Sequence, residues 1–309
     1  MKIYHNLEDF EQVKHPVVTV GTFDGVHLGH QEIFKRMRKL AQETGGETVV
    51  VTFHPHPRLV VHPDSRELRF INTQEKKYKL IEKAGIEHLV VIEFTLEFSH
   101  LSSTGFIKYI LADMLKAKTL ITGYDHHFGK DREGGYETLV ELGKEYGFTV
   151  EKVSEQYIHN MSVSSTKIRA ALRLGQVALA NEMLGYNYSI TGRVVQGKKI
   201  GRTIGFPTAN IELEDEYKLI SAVGVYACTV EWNKKHFKGM GNIGYRPTVE
   251  DGDLTIEVHI FEFNQDIYDE EITINFVDRI RDEIRFENLE GLKKQLVEDR
   301  KVVLDLFDN

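Results

Sequence analysis

Apolar positions in the first half of the chain switch repeatedly between two spacings. A short β-branched run at residues 17–20 stops at Gly21. A helical spacing follows, with Ile33, Phe34, Met37, Leu40 and Ala41 on one face, and ends at the Gly45-Gly46 pair. The alternation continues through a strand at 48–53, a helix at 74–84 closed by Gly85, a strand at 88–93, a helix at 102–116, a strand at 119–122, a helix at 136–146 and a strand at 149–153. Strands alternating with helices of this length predict an α/β fold, a doubly wound parallel sheet with right-handed crossovers and helices on both faces. Ligands of such sheets bind beyond the carboxyl ends of the strands.

A last short helix at 176–184 closes at Gly185, and beyond it the period drops to two. Alternating stretches at 190–195, 209–213, 224–232, 236–243, 254–263 and 271–276 predict a closed, six-stranded antiparallel β-barrel, because closure removes exposed strand edges. Leu289, Leu292, Leu296, Val303 and Leu304 then lie on one face of a terminal helix expected to pack on the barrel. The change of period places a domain boundary at residue 185, giving domains 1–185 and 186–309.

Composition sharpens this division. The 309 residues suffice for two cores, and 41% hydrophobic with 28% charged residues excludes disorder as the default. Residues 1–185 hold 23 Lys+Arg against 24 Asp+Glu, a balance of −1, whereas residues 186–309 hold 16 against 23, a balance of −7. Neither half has the basic excess that tracks a nucleic-acid backbone, so no nucleic-acid partner is expected. Small anions remain open as ligands. The single Cys228 excludes an intrachain disulfide, the charged first ten residues do not form a signal peptide, and the longest apolar runs are strand-sized. A cytoplasmic protein without a membrane partner is the expectation; self-association is left open.

The chemistry of the first half sits in loops that follow strands. Gly21-Thr-Phe-Asp-Gly-Val-His-Leu-Gly-His30 joins the first strand to the first long helix, and helix N-termini attract phosphate through their unpaired N–H groups and the macrodipole. His27 and His30, three apart, project toward one edge and can donate hydrogen bonds to phosphate oxygens as charge develops. Thr52-Phe-His-Pro-His-Pro57 and Gly123-Tyr-Asp-His-His-Phe-Gly129 lie where further loops should meet the same crevice. Their histidines also permit a metal reading, although no regular ligand spacing accompanies them. Val163-Ser-Ser-Thr-Lys-Ile-Arg169 opens another well-capped helix.

In the second half, Gly192-Arg-Val-Val-Gln-Gly197-Lys198 fits the start of a P-loop. Lys199 stands where the hydroxyl should be, and Gly201, Gly205 and Pro207 break the helix a P-loop must open, so a P-loop fold is rejected. Gly201-Arg-Thr-Ile-Gly-Phe-Pro-Thr-Ala-Asn210 reads either as a capped hairpin or as a site for Mg²⁺, since Thr208 and Asn210 offer hard, neutral oxygens. Period two places Glu257 and His259 on one face of their strand. Glu257 is then either an exposed carboxylate or a base aimed into a pocket. Gly241-Asn-Ile-Gly-Tyr-Arg-Pro-Thr248 supplies a tight turn with Arg246.

In this order, the segments at 21–30, 52–57, 123–129 and 163–169 resemble the adenylyltransferase module of bacterial bifunctional riboflavin kinase/FAD synthetases, within the nucleotidyltransferase superfamily that carries His-x-Gly-His. The second half resembles the riboflavin kinase domain through Gly-Phe-Pro-Thr-Ala-Asn, Gly224-Val-Tyr, Asn242-Ile-Gly-x-Arg-Pro-Thr and Glu-x-His. The resemblance implies that riboflavin plus ATP gives FMN plus ADP in the second half, and FMN plus ATP gives FAD plus pyrophosphate in the first, both with Mg²⁺. It implies catalytic roles for His27, His30, Arg169 and Glu257, with Glu257 the base for the ribityl 5′-hydroxyl. Nucleotide contacts are implied for Gly21, Phe23, Asp24, Gly25, Gly29, Asp125, Ser164, Ser165, Thr166, Gly197, Gly201, Arg202, Gly205 and Pro207. Flavin contacts are implied for His56, Phe128 and Arg246, and metal contacts for Thr208 and Asn210. Three positions depart from the family pattern: His126 replaces an aromatic residue, Gly241 a larger apolar one, and Asp269 a glycine. Competing readings are an enzyme that has kept one activity, a flavin-binding sensor, and a metal-dependent hydrolase.

Overall fold

The computed structural model describes residues 1–309 except 63–67, 125–134, 160, 198, 246–253 and 309. The chain divides into two compact units, Met1–Ser164 and Ser165–Asn309.

The first unit contains β1 (Lys2–Tyr4), β2 (Val17–Val20), α1 (Leu28–Thr44), β3 (Thr48–His54), α2 (Pro57–Val61), α3 (Gln74–Lys83), β4 (His88–Glu93), α4 (Leu96–Ser99), α5 (Ser103–Phe106), β5 (Thr119–Thr122), α6 (Tyr136–Tyr146), β6 (Thr149–Lys152), β7 (Tyr157–Ile158) and β8 (Met161–Ser162). Its main sheet runs β1-β4-β3-β2-β5-β6 with every neighbouring pair parallel. Alternate strand residues feed opposite faces, as period two demands. Val18, Val20, Val49 and Val51 pack with Phe106, Ile110 and Leu111, whereas Val17 and Val50 pack with Phe34 and Met37 of α1 and Ile81 of α3. From β2 the chain moves outward to β3 and β4 on one side and to β5 and β6 on the other, so β2 and β5 flank the switch point. The loops beginning at Gly21 and Gly123 leave from there, where ligands of such sheets bind.

The expected helix at 102–116 begins as α5 but widens into a π-helix over Ile107–Met114, with Ile107, Ile110 and Leu111 still buried. β1 is an edge strand of three residues, too short for a periodic signal.

The second unit contains α7 (Ser165–Arg173), α8 (Val177–Leu184), β9 (Ser189–Val195), α9 (Ile200–Thr203), β10 (Ala209–Glu212), β11 (Gly224–Trp232), β12 (Lys235–Tyr245), β13 (Leu254–Ile260), β14 (Glu271–Arg281) and α10 (Leu289–Asp308). The six strands close as β10-β13-β12-β11-β14-β9, all antiparallel. Residues 192–195 lie inside β9 and α9 is a single turn, which agrees with rejecting a P-loop. On α10, Val303, Leu292 and Leu296 join Phe206, Met240 and Phe261 in one apolar cluster. Arg281 grips Asp299 of the same helix at 2.8 and 2.7 Å.

The compact units part upstream of residue 185 because α7 and α8 are fastened to the barrel. Asn181 Nδ2 donates to Phe276 O at 2.9 Å, its Oδ1 accepts from Tyr188 N at 2.7 Å, and Leu172 O accepts from Ser221 Oγ at 2.9 Å and Ala222 N at 3.1 Å. Residue 185 marks the change of sequence period rather than the edge of a compact unit.

Candidate functional site

The loop after β2 is folded tightly. Phe23, Gly25 and Val26 all have positive φ, at 51°, 85° and 38°. For a β-branched residue such as Val26 this is strained, and such strain persists only where surroundings over-determine it. Phe23 and Val26 are buried, and Val26 N donates to Phe23 O at 3.1 Å. A Cβ at Gly21 would stand 3.0 Å from the Phe23 ring edge, closer than ordinary contact, so a side chain there would need the ring to shift. Gly29 likewise leaves room for the His27 ring, 3.2 Å from where its Cβ would stand.

His27 is the N-cap residue of α1, and its ring stacks on that of His30 with centroids 3.6 Å apart. The pair thus faces one way at the start of a 17-residue helix. His30 Nδ1 is buried without a hydrogen-bond partner among the described residues. Burial, then the neighbouring His27 and then Lys77, hold the His30 pKa well below the usual imidazole range, so the ring is neutral at pH 7. Asp24, also buried, accepts from Ile71 N at 2.9 Å and Asn72 N at 3.3 Å, which ties the loop to the segment before α3. Lys77 reaches the same loop from α3. Its ammonium donates to Thr22 O and to Thr52 Oγ1, each at 3.2 Å.

The other first-half candidates are placed as follows. His56 is the N-cap of α2; its Nδ1 accepts from Arg58 N at 3.2 Å and its ring lies 4.5 Å from that of Phe70. Ser164 closes the first unit, while Ser165 and Thr166 open α7, where Arg169 Nη2 donates to Thr166 Oγ1 at 3.4 Å. Asp125, His126 and Phe128 lie outside the described residues, as do Lys198 and Arg246. Among the described residues no group of three His, Cys, Asp or Glu side chains converges on a metal-sized space.

In the second unit the register β10–β13 sets Asn210 opposite Glu257. Thr208, just before β10, donates through Oγ1 to Glu257 Oε2 at 3.2 Å. His259 shares a bond with the next turn of chain, Nδ1 to Pro207 O at 2.7 Å, and its ring lies 5.2 Å from Phe206. A carbonyl only accepts, so Nδ1 carries the hydrogen. Burial lowers the His259 pKa and keeps the ring in that neutral form. Glycines make the approach possible: a Cβ at Gly197 would overlap the Asn210 amide, and one at Gly201 would overlap Phe206 O. Arg202 lies on the single turn α9, and Gly205, at φ 86°, precedes Phe206 and Pro207.

Two cavities meet at this loop. One, of ≈ 750 Å³, is bounded by Ile204, Phe206, Met240, Glu257, Leu292 and Leu296. The other, of ≈ 500 Å³, is more polar in its walls, with Arg202, Asn264, Gln265, Asp266 and Tyr268. Thr208 lines both. The departures from pattern are accommodated locally. Asp269 has φ 63°, the left-handed region that explains a family preference for glycine, and short polar side chains tolerate it. A Cβ at Gly241 would meet only ordinary contacts, 3.7 Å from Cys228 Sγ and from Glu257 O.

Lys77 and the Asn264–Asp266 wall were not singled out by the sequence motifs. For Lys77 a signal existed: it shares with Ile81 the buried i, i+4 face of α3, where an apolar residue would be expected.

Comparison with known proteins bears on both units. The family model for FAD synthetase matches residues 9–167 and that for riboflavin kinase matches residues 184–307. A bifunctional riboflavin kinase/FMN adenylyltransferase of Bacillus subtilis is 40% identical, covering 99% of this chain and 96% of the relative. Its Escherichia coli K12 counterpart is 34% identical over 99% of this chain and 98% of its own. A solved structure from Streptococcus pneumoniae, described as a macrolide-efflux protein, superposes with a TM-score of 0.88 at 33% identity and 98% coverage of both chains. Among the described residues no helix is long and apolar enough to cross a membrane. The chain belongs to the bifunctional riboflavin kinase/FMN adenylyltransferase family.

Proposed function

We propose that the chain makes FAD in two successive ATP-dependent transfers, each at its own site. Riboflavin is phosphorylated to FMN in the barrel, and FMN is adenylylated to FAD, with release of pyrophosphate, at the His27/His30 loop. As catalytic modules we assign residues 1–185 to adenylylation and 186–309 to the kinase.

The observation that carries the kinase reading is Thr208, which lines both cavities and touches Glu257. The apolar walls of the larger cavity suit an isoalloxazine ring; the polar walls of the smaller one suit a nucleotide. Their common boundary is then where the ribityl 5′-hydroxyl meets the γ-phosphorus. An alcohol is a weak nucleophile, and Glu257 would take its proton as the new P–O bond forms and ADP departs. Thr208 and Asn210 present neutral hard oxygens beside one carboxylate, a donor set that fits Mg²⁺ completed by nucleotide phosphates. Bound there, Mg²⁺ would supply positive charge to the polyphosphate.

At the other site an FMN phosphate oxygen attacks the α-phosphorus of ATP and pyrophosphate leaves, with no covalent enzyme intermediate. His27 and neutral His30 would donate N–H hydrogen bonds to phosphate oxygens at the start of α1. The test is chromatography of flavins after incubation of purified protein with riboflavin or FMN, ATP and Mg²⁺. FMN and FAD from riboflavin, and FAD from FMN, are expected. Flavin bound with no ADP or pyrophosphate formed would mark a binding protein instead.

A further inference from the structure

A lysine is almost never buried without a reason, because its charge must leave water. Lys77 is 6% exposed, and burial pushes its pKa down to about 8, against which the Asp24 carboxylate works. Its two hydrogen-bond partners lie on different elements that end at the same crevice. Thr22 belongs to the strained loop after β2, and Thr52 lies near the end of β3. Thr52 Oγ1 is itself 3.5 Å from Thr22 O, so three groups converge on one point beneath the loop. An apolar side chain at this place on α3 would fill the space without a desolvation cost, as Ile81 does one turn on. The ammonium is therefore retained for what it does to the loop and to whatever charge the loop receives.

We propose that Lys77 is a positioning residue for adenylyl transfer, which fixes the 21–27 loop through Thr22 and Thr52 and holds a buried positive charge beneath the ATP triphosphate. This rests on the reading that the His27/His30 loop takes the phosphates. In a site of low polarizability, one fixed charge acts on a polyphosphate far more strongly than an exposed lysine would. The charged group that acts on Lys77 is Asp24 of the loop; His30 of α1, on which Lys77 itself acts, stays neutral where Lys77 titrates.

The full-length protein with Lys77→Met tests this, assayed for FMN adenylylation with supplied FMN and, as internal reference, for riboflavin phosphorylation. The expected result is a KM for ATP raised about tenfold or more in adenylylation, with the kinase constants unchanged. The melting midpoint should stay the same or rise, since a buried charge has been removed. In the wild type the KM for ATP should climb as pH passes about 8, where the lysine loses its proton, and this limb should vanish in Lys77→Met. Adenylylation constants within twofold of wild type, or a loss of activity matched by a lower melting midpoint, would overturn the proposal. Should Lys77→Met not fold, Thr52→Val decides: it keeps the shape and removes one acceptor, and a raised KM for ATP supports the role while an unchanged one overturns it. His30→Asn serves as the control for the site itself. If His30→Asn leaves the KM for ATP untouched, the phosphate loop has been misassigned; if it raises that KM while the Lys77 and Thr52 variants do not, the Lys77 role alone fails.

Discussion

The hydrogen bond from His259 Nδ1 to Pro207 O is the residue-scale link between the strand that carries the proposed base and the loop that carries Thr208. Asn can place an amide N–H close to where Nδ1 stands, whereas Ala leaves the carbonyl without its donor. His259→Asn is expected to keep riboflavin kinase turnover within about threefold of wild type, and His259→Ala to lower it about tenfold or more, in line with one lost buried hydrogen bond. Steady-state kinetics on both variants, with FMN adenylylation as reference, checks this. His30 supports a prediction with a definite sign. Its folded pKa lies below the unfolded value of about 6.5, so the folded chain binds fewer protons as pH falls through that value. Stability is lost on acidification from about 6.5 down to the folded pKa, and none is gained above it. Melting at pH 7.5 and 5.5 should show a smaller acid loss in His30→Asn than in wild type; equal losses would remove His30 as the cause. The residue scale is also where sequence reading was least complete. His27 and His30 announce themselves by spacing, and their stacking follows from it. Lys77 hides because a lysine in a helix ordinarily reads as solvated, and only its place on the buried face of α3 beside Ile81 betrays it.

At the scale of elements, α10 forms part of the larger cavity's wall through Leu292 and Leu296 and is anchored through Asp299, 2% exposed, to Arg281 of β14. Gln295 Nε2 adds a third bond to the same carboxylate at 3.0 Å. Removing one partner of a buried pair strands the other, so Asp299→Ala should cost about 3–5 kcal/mol in denaturant unfolding of the second unit. It should also weaken riboflavin binding, measured by flavin fluorescence, because the helix that walls the cavity loses its anchor. Elements with a clear pattern were legible: α1 follows the 3.6 period, β3 and β4 are continuous apolar runs buried on both faces, and barrel strands such as β13 alternate. Others were not, for physical reasons. β1 has three residues, paired with β4 at the sheet edge, too few to show a period. The π-helix at Ile107–Met114 keeps the apolar face of an ordinary helix, so its wider turn leaves no trace in the pattern. The attachment of α7 and α8 to the barrel depends on Asn181 and Leu172 finding partners far along the chain, which no local spacing reveals.

The molecule as a whole is two chemistries on two architectures, each using the ligand position its fold favours. The parallel sheet offers a crevice at its switch point beside a helix N-terminus, suited to phosphate. The barrel offers a loop across its mouth, where glycines at 197 and 201 let Asn210 and Phe206 approach the backbone. The product of one reaction is the substrate of the other, yet each proposed site has its own set of reacting groups. This independence is the central claim, and crossed variants test it most directly. Glu257→Gln and His30→Asn proteins, each supplied in turn with riboflavin or FMN plus ATP and Mg²⁺, are followed by chromatography of FMN and FAD. Glu257→Gln is predicted to make no FMN from riboflavin while converting supplied FMN to FAD at the wild-type rate, and His30→Asn to accumulate FMN from riboflavin with FAD formation slowed. Loss of both products in either single variant would contradict two separate active sites.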